Sequence, residues 1–332
     1  MIISRTPFRI SFFGGGTDYP EWYRENGGAV LATTIDKYCY LNCRYLPPFF
    51  EHSSRIVWSQ IELVQDRTQI EHPAVREILS FIGEEKGVEI HHDGDLPARA
   101  GLGSSSSFVV GLLNSLYALQ GISPTKARLA RDAILVEREH IQETVGSQDQ
   151  VSAAFGGFNR IDFDGQREFC VTPIKLPASR LEELQNHLLL VFTGQVRTAS
   201  EIASEQVKVI SSRATELTAM HRSVDEAVDI LFNGSDLGDF GRLLDESWKT
   251  KRSLTPRIST SEIDDIYSAA RKAGALGGKL LGAGGGGFML FFVSPEQLPQ
   301  VESKLDSLLK VPFRFENSGS HIIFNNESDA TH

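Results

Sequence analysis

The sequence predicts an α+β protein built from two lobes, and three observations lead to that prediction. The chain has 332 residues, enough for two domains of about 150 residues each. Strand-like segments dominate its first part, whereas helical segments dominate after Pro177, so we place a boundary near residues 176–186. We therefore expect an N-terminal lobe over residues 1–180, a C-terminal lobe over 181–325 and a short tail over 326–332.

Runs of β-branched and aromatic residues, separated by glycine-rich breaks, predict the strands of the N-terminal lobe. These strands cover residues 2–13, 29–34, 38–45, 88–92, 157–163 and 169–174. Apolar residues at helical spacing predict the helices of the same lobe. The helices cover residues 73–86, 108–119, 125–143 and 149–155. Pro73 at a helix start, and Gly87 and Gly121 after helix ends, support these boundaries.

The C-terminal lobe opens with an apolar strand at residues 188–192 and a long helix at 200–231 that contains few helix breakers. Two further helices are predicted at residues 237–248 and 261–273. The chain then closes with an apolar strand, a helix and two short strands. These elements cover residues 288–293, 295–309, 313–316 and 321–324.

Charge and composition limit the classes of function. Hydrophobic residues make up 41% and charged residues 23% of the chain, as in ordinary soluble enzymes. Asp and Glu number 43 against 33 Lys and Arg, and the net charge of −10 excludes nucleic acid and anionic membranes as bulk partners. No apolar run reaches the roughly 18 residues of a membrane span, and three cysteines fit a reducing cytosol. We therefore expect a cytoplasmic protein.

The most informative stretch is the central glycine segment, residues 96–107, which reads LPARAGLGSSSS. Gly101 and Gly103 let the backbone bend and approach a ligand closely. The serines at 104–107 then start a helix, where backbone N–H groups and the positive end of the helix dipole attract anions. The alternative is a simple turn in which a serine caps the helix.

Two further glycine segments lie near the ends of the chain. The N-terminal glycine segment, residues 9–19, follows the first strand and exposes Thr17 and Asp18. Asp18 either binds a ligand or caps the next element. The C-terminal glycine segment, residues 279–287, has five glycines within six positions and runs into an apolar strand. It is either a flexible linker or, as we favour, a loop that passes close to another backbone or to a phosphate.

These three glycine segments, in this order, resemble the motifs of the GHMP small-molecule kinases, a family that includes galactokinase and homoserine, mevalonate and phosphomevalonate kinases. The resemblance covers most of the chain. It implies the two-lobed GHMP kinase fold, with a ribosomal S5 domain 2-like N-terminal lobe and a ferredoxin-like C-terminal lobe. It also implies ATP as co-substrate, Mg²⁺ as cofactor, and a monomer or homodimer that binds small molecules rather than nucleic acid or membrane.

Within the family, the chain is most similar to the D-glycero-D-manno-heptose 7-phosphate kinases. The stretches that carry this similarity are residues 5–18, 145–150, 193–200 and 279–288. Galactokinases have Glu-His where this chain has Gly15 and Gly16, which argues against galactose. The resemblance implies phosphorylation of the anomeric hydroxyl of the heptose 7-phosphate to the 1,7-bisphosphate, for the synthesis of nucleotide-activated heptose. A kinase for another sugar, such as fucose or a hexose, and a non-catalytic sugar sensor are the alternatives.

The resemblance also implies roles for single residues. Asp149 is the catalytic carboxylate, and Arg9 lies beside it. The sugar contacts near the first strand are Asp18, Gly15, Gly16 and Thr17. The ATP contacts are Arg99, Ala100, Gly101, Leu102, Gly103, Ser104, Ser105, Ser106, Gly284 and Gly285. The magnesium ligands are Ser105 and Glu137, the latter chosen over two nearby glutamates by its spacing to Asp149.

A phosphorylated sugar also needs cations to hold its phosphate. We choose Arg197, Lys249 and Arg252 for this role. Lys208 and Lys251 are further candidates. The dense basic run at 249–252 has an alternative explanation as a solvated helix end that interacts with the helix dipole.

Overall fold

The computed structural model describes residues 1–98, 100–194, 199–234 and 236–326 of the chain. Within these ranges the strands are β1 (Ile2–Phe13), β2 (Gly28–Tyr45), β3 (Ser54–Val57), β4 (Ile61–Val64), β5 (Val88–Gly94), β6 (Phe158–Asp164), β7 (Glu168–Pro173), β8 (Leu188–Phe192), β9 (Gly277–Leu280), β10 (Phe288–Phe292), β11 (Leu309–Lys310), β12 (Phe315–Glu316) and β13 (His321–Asn325). The α-helices are α1 (Pro20–Asn26), α2 (Pro73–Phe81), α3 (Ser104–Leu119), α4 (Lys126–Leu135), α5 (Gln148–Phe155), α6 (Ala178–Asn186), α7 (Ala199–Val209), α8 (Ala214–Phe232), α9 (Gly238–Leu254), α10 (Ser261–Lys272) and α11 (Leu298–Lys304). None of these helices has the length and apolar character needed to cross a membrane.

In the described residues the first lobe contains a nine-stranded sheet. Strands β13, β1, β2, β5, β3 and β4 follow one another, β12 and β6 also pair with β2, and β7 pairs with β6. Helix α3 packs against β1 and β2. Gly111 permits this contact, because a Cβ there would lie 2.7 Å from the Thr6 hydroxyl. The Ser4 hydroxyl donates to the Gly111 carbonyl at 3.1 Å, so the helix is fixed on the central strands.

The second lobe contains a four-stranded antiparallel sheet in the order β11-β8-β10-β9. This is the strand order of a ferredoxin-like lobe, as expected from the sequence. Strand β10 is buried along its whole length. Helix α9 packs on β9 where Gly277 approaches the backbone of Gly241, since a Cβ on Gly277 would lie 1.9 Å from the Gly241 carbonyl oxygen. The α+β fold with two lobes is therefore confirmed.

The domain prediction is wrong for the end of the chain. Strands β12 and β13, which we assigned to the C-terminal lobe over residues 181–325, pair with β2 and β1 of the first sheet. The physical reason is that both edges would otherwise present unpaired backbone groups: β13 covers the outer edge of β1, and β12 covers the stretch of β2 between those that pair with β6 and β5. The last residues of the expected tail, 327–332, lie outside the described ranges.

Most predicted elements are present with shifted ends. The helix expected over residues 200–231 is two helices, α7 and α8, separated by a turn at Ile210–Ser212 that no glycine or proline marks. The helix expected over residues 125–143 is shorter in the structure. It forms α4, and one wide π-type turn, Val136–His140, follows directly. Wide turns of this kind often occur at functional sites. The short strands β3, β4, β9 and β11 and the helices α1 and α6 were not predicted.

Candidate active site

A cavity of about 190 Å³ opens where the two lobes meet. The first lobe contributes the end of β1, the loop that follows it and the starts of α3 and α5. The second lobe contributes α7, α9, β9 and the start of the C-terminal glycine segment. The charged side chains on its wall include Arg9, Asp18, Asp149, Lys251 and Lys279. A cleft between lobes with convergent charged groups is a typical small-molecule site.

The Arg9 guanidinium and the Asp149 carboxylate form a two-point ion pair at the centre of this cavity. Arg9 Nε donates to Asp149 Oδ1 at 2.7 Å, and Nη2 donates to Oδ2 at 2.8 Å. Arg9 Nη1 donates to the Gly101 carbonyl oxygen at 2.7 Å. Arg9 is buried, whereas the Asp149 side chain is 24% exposed. The carboxylate is therefore fixed in orientation yet open to a ligand.

Asp18 is a second carboxylate of the cavity and is almost wholly buried. Its Oδ1 accepts from the Gly16 N–H at 2.8 Å, and its Oδ2 accepts from Gln148 Nε2 at 3.0 Å. Burial raises the pKa of Asp18, the Asp149 carboxylate raises it further, and the Gly16 N–H opposes the shift. Gly146 leaves room for this carboxylate, since a Cβ there would lie 2.0 Å from Oδ2. Amide donors thus hold Asp18 in place against the cavity.

The central glycine segment leads into α3, which begins at Ser104. Gly101 and Gly103 have left-handed backbone angles, φ +88° and φ +77°, which other residues rarely adopt. A Cβ on Gly103 would lie 3.3 Å from Arg9 Cγ and 3.5 Å from Asp149 Cγ. The first N–H groups of an α-helix have no acceptor within the helix and lie at the positive end of its dipole. An anion-binding helix start therefore lies directly beside the Arg9–Asp149 pair.

The C-terminal glycine segment packs against the backbone of the central one. Gly282, with φ +75°, approaches Gly101 so closely that a Cβ on Gly282 would lie 2.5 Å from Gly101 Cα. A Cβ on Gly287 would lie 2.3 Å from the Ala100 carbonyl oxygen, and the Phe288 N–H donates to that same oxygen at 3.1 Å. Close backbone approach is one of the two explanations that the sequence allowed for these glycines.

Four of the predicted ATP contacts do not line the cavity. A Cβ on Gly284 would lie 2.8 Å from Ile258 Cα, and the Gly285 N–H donates to the Ile258 carbonyl at 3.0 Å. Ala100 and Leu102 have buried side chains. Gly284 and Gly285 are thus engaged in backbone packing, and the roles of all four residues in ATP binding stay predictions. The remaining predicted contacts on the cavity wall are Gly101, Gly103, Ser104, Ser105 and Ser106, and Arg99 lies outside the described residues.

Thr17 is another predicted contact that the structure places elsewhere. It is completely buried, and its hydroxyl lies 2.9 Å from the carbonyl oxygens of both Gly14 and Ala29. The Ala29 N–H donates back to the same hydroxyl at 3.1 Å. Thr17 therefore fixes the shape of the loop, whereas Gly15 and Gly16 line the cavity as predicted.

The structure also corrects the predicted phosphate-binding cations. The Lys249 side chain is 65% exposed and donates to Asp245 on its own helix at 2.7 Å. Arg252 donates to Asp264 at 2.6 Å. Neither cation is on the cavity wall, because both lie on the solvent side of α9 and pair with local carboxylates. Arg197 lies outside the described residues.

Two lysines are buried at the cavity: Lys251 on α9, which was a further candidate from the sequence, and Lys279 on β9, which was not. Lys251 Nζ donates to the Gly282 carbonyl, and Lys279 Nζ donates to the Phe12 carbonyl at 2.8 Å. Burial and the Arg9 cation lower the pKa of Lys251 to about 8. Burial, followed by the Lys251 and Arg9 cations, lowers the pKa of Lys279 well below its usual range.

The sequence contains a signal for Lys251 that the search for basic runs did not use. Leu244, Trp248 and Lys251 follow helical spacing and form one buried stripe of α9. Lysines are rarely buried, so a lysine on the apolar stripe of a helix indicates a specific role. Lysines beside the stripe are exposed to solvent and indicate no such role. Helical phase therefore separates Lys251 from its exposed neighbours.

The predicted magnesium ligands are arranged differently from expectation. Glu137 is completely buried in the wide turn, where its Oε2 accepts from the Ser106 hydroxyl at 2.9 Å and from the Gln150 amide. Its Oε1 has no hydrogen-bond partner among the described residues, and burial raises the pKa of Glu137 to about 8. A carboxylate oxygen beside a hydroxyl suits Mg²⁺. These residues fit that ion, with Ser106 rather than the exposed Ser105 beside the glutamate.

Comparison with known proteins identifies relatives of this arrangement. The family model described as GHMP kinases N terminal domain matches residues 64–157, and the model described as GHMP kinases C terminal matches residues 217–311. A D-glycero-alpha-D-manno-heptose 7-phosphate kinase of Campylobacter jejuni is 29% identical over 311 residues, which cover 89% of this chain and 90% of that protein.

Two further proteins extend the comparison. A galactokinase of Pyrococcus furiosus is 27% identical over 336 residues, covering 89% of this chain and 90% of that protein. The crystal structure of a D-glycero-D-manno-heptose 1-phosphate kinase from Bacteroides thetaiotaomicron has a TM-score of 0.81 and 25% identity, and the match covers 98% of this chain and 100% of that one. The similarity therefore extends over both lobes and the cavity between them.

Proposed function

The chain belongs to the GHMP kinases, and from that membership we propose that it transfers the γ-phosphoryl group of ATP to the anomeric hydroxyl of D-glycero-D-manno-heptose 7-phosphate. The products are the 1,7-bisphosphate and ADP. The observation that carries the proposal is the Arg9–Asp149 pair beside an anion-binding helix start in the cavity. The heptose 7-phosphate kinase from Campylobacter jejuni, which is similar over most of both chains, supports the choice of acceptor.

Asp149 is the group that would accept the proton of the acceptor hydroxyl. As the proton moves to a carboxylate oxygen, the hydroxyl oxygen bonds to the γ-phosphorus, and the bond from that phosphorus to the bridging oxygen of ADP breaks. Arg9 holds both oxygens of Asp149, so the carboxylate is oriented before the acceptor binds. Proton transfer to a positioned base is worth about 10²–10⁴-fold in rate.

The start of α3 is the group that would hold the triphosphate. Its first-turn N–H groups lie next to the Arg9–Asp149 pair, so a phosphate bound there is close to the reacting oxygen. Glu137 and Ser106 would hold magnesium, which when bound would neutralise charge on the phosphate oxygens. Gly15 and Gly16, which have no side chains where galactokinases carry two, line the cavity together with Asp18.

The test is an ADP-release assay with Mg²⁺ and ATP across a panel of acceptors. The panel contains heptose 7-phosphate, unphosphorylated heptose, fucose, galactose and mannose. We expect turnover with heptose 7-phosphate and at least a hundredfold lower kcat/KM with each unphosphorylated sugar. Efficient turnover of fucose or a hexose, with none of the phosphosugar, would replace the proposed acceptor. Absence of turnover with every sugar would favour a non-catalytic role.

A further inference from the structure

The cavity contains two buried cations that the transfer reaction as described does not use. Lys251 and Lys279 are 5% and 4% exposed, and both line the cavity. The hydrogen bonds that hold their ammonium groups go to main-chain carbonyls, those of Gly282 and Phe12. Arg9, the third buried cation on the wall, is matched instead by the Asp149 carboxylate. Burying a cation against a carbonyl is costly unless an anion completes the site.

On the basis of the proposed function, we propose that Lys251 and Lys279 together bind the phosphate group that the acceptor sugar carries into the cavity. The two lysines come from different elements, α9 and β9, that pack against each other. Both side chains line the same cavity, and the Lys251 cation interacts electrostatically with Lys279. Two ammonium groups can each donate to a different oxygen of one phosphate dianion.

The contact of Lys279, and the interaction of both lysines with Asp18, favour the acceptor side of the cavity for this pair. The triphosphate site lies in the N-terminal lobe, at the start of α3. The carbonyl that accepts from Lys279 belongs to Phe12, at the end of β1 just before the loop that positions Asp18. Asp18 also interacts electrostatically with both lysines. A sugar held by Asp18 would therefore bring its own phosphate towards the two lysines.

The pair also predicts proton uptake when the phosphosugar binds. Burial and the Arg9 cation together lower the pKa of Lys251 to about 8, and the Asp18 and Asp149 carboxylates oppose the shift. Among the described residues, the other titratable groups on the cavity wall are Tyr19, Glu143 and Lys279. A phosphate dianion raises the pKa of an adjacent ammonium group. Near pH 8 the empty site is only partly protonated, so binding should take up protons and affinity should fall as pH rises.

The experiment compares Lys251→Met and Lys279→Met with wild type, using Lys249→Met as the matched control on the solvent side of α9. Isothermal titration at pH 8, in two buffers of different ionisation enthalpy, measures affinity and proton uptake for heptose 7-phosphate, unphosphorylated heptose and inorganic phosphate. We expect both cavity variants to bind heptose 7-phosphate and inorganic phosphate at least tenfold more weakly. Proton uptake should fall, and affinity for unphosphorylated heptose should change less than threefold.

Thermal unfolding separates a binding role from a structural one. Removing a buried charge that only a carbonyl accepts should leave Tm of Lys251→Met unchanged or raise it. If that variant does not fold, Lys279→Met carries the test alone. Unchanged affinity for both phosphates, a raised KM for ATP instead, or an equal loss with Lys249→Met would each overturn the assignment.

The outcomes distinguish this inference from the proposed function. If both lysine variants turn over heptose 7-phosphate as wild type does, the proposed function stands and the two lysines are not the phosphate site. If inorganic phosphate binding depends on the lysines but heptose 7-phosphate is not turned over, the two lysines form a phosphate site and the proposed acceptor is wrong.

Discussion

The central and C-terminal glycine segments are alike in composition but differ in what their glycines contact. In the central segment, Gly103 lies against the side chains of Arg9 and Asp149, and the chain continues into the exposed start of a helix. In the C-terminal segment, Gly282 and its neighbours lie against other backbone, and the chain continues into a buried strand. The first arrangement leaves N–H groups facing the cavity, whereas the second uses them in packing.

The difference teaches how to interpret a glycine-rich stretch. Glycine permits close approach of any group, so its presence does not identify the partner. The element that follows is more informative: a helix start supplies donors for an anion, whereas a buried strand pairs its own backbone groups within a sheet. We therefore assign chemistry to the central segment and the joining of the two lobes to the C-terminal one.

The largest effect should come from Asp149→Asn, which changes the proposed catalytic carboxylate beside the central glycine segment. The amide cannot accept the proton of the acceptor hydroxyl, so kcat should fall by about 10²–10⁴-fold. Steady-state assays at saturating ATP and acceptor measure this change. Asp225→Asn is the matched control, since it alters another Arg–Asp pair, with Arg160, at the surface. Equal activity of Asp149→Asn and wild type would remove Asp149 from the reaction.

A smaller effect should come from Gly282→Ala in the C-terminal glycine segment, and it should be on the free energy of unfolding. Alanine in a left-handed conformation costs about 1–2 kcal/mol, and this Cβ would also lie 2.5 Å from Gly101 Cα. Gly121→Ala is the matched control, because Gly121 has φ +73° and no atom within 4 Å of its added Cβ. In urea unfolding, Gly282→Ala should lose about 1–3 kcal/mol more than the control. A raised KM for ATP with no excess loss of stability would instead assign Gly282 to phosphate binding.

The effect that is smallest for each step of its experiment, about 1 kcal/mol per pH unit, comes from Glu137, the carboxyl group that Ser106 contacts at the start of α3. Burial raises the pKa of Glu137 from 4.5 to about 8, so the folded protein retains a proton that the unfolded chain releases. The free energy of unfolding should therefore fall by about 1 kcal/mol per pH unit from pH 4.5 to pH 8 through this group. Glu137→Gln lacks that dependence. Urea unfolding of both proteins is measured at several pH values without divalent cations. The free energy of unfolding of Glu137→Gln, relative to wild type, should increase with pH. A difference that does not change with pH would contradict the raised pKa of Glu137.

Sequence reasoning reached those parts of the site that lie in short, continuous motifs. Arg9, Asp18 and the central glycine segment each stand in a recognisable run, and the structure brings all three to one cavity. Which serine lies beside Glu137 depends on one residue of helical phase, and the choice of Ser105 as a magnesium ligand stays a prediction. Successive residues of a helix point about 100° apart, so Ser106 contacts Glu137 whereas Ser105 is exposed.

The remaining errors concern contacts between segments that are distant in the chain. Lys251 and Lys279 meet only because α9 packs on β9. The return of β13 to the first sheet likewise depends on the free edge of β1, and the return of β12 depends on an open stretch of β2, rather than on any local pattern. Local propensity predicts that such segments are strands or helices but not which partner they pack against.

The measurement that tests the central claim most directly is ³¹P NMR of the product formed from heptose 7-phosphate, ATP and Mg²⁺. The two related heptose kinases are named for phosphates at different positions, 7 and 1, so the position of the new phosphate is informative. We predict two phosphomonoester signals of equal intensity, the new one coupled to the anomeric proton. A new phosphate on another carbon, or no new sugar phosphate at all, would contradict the account.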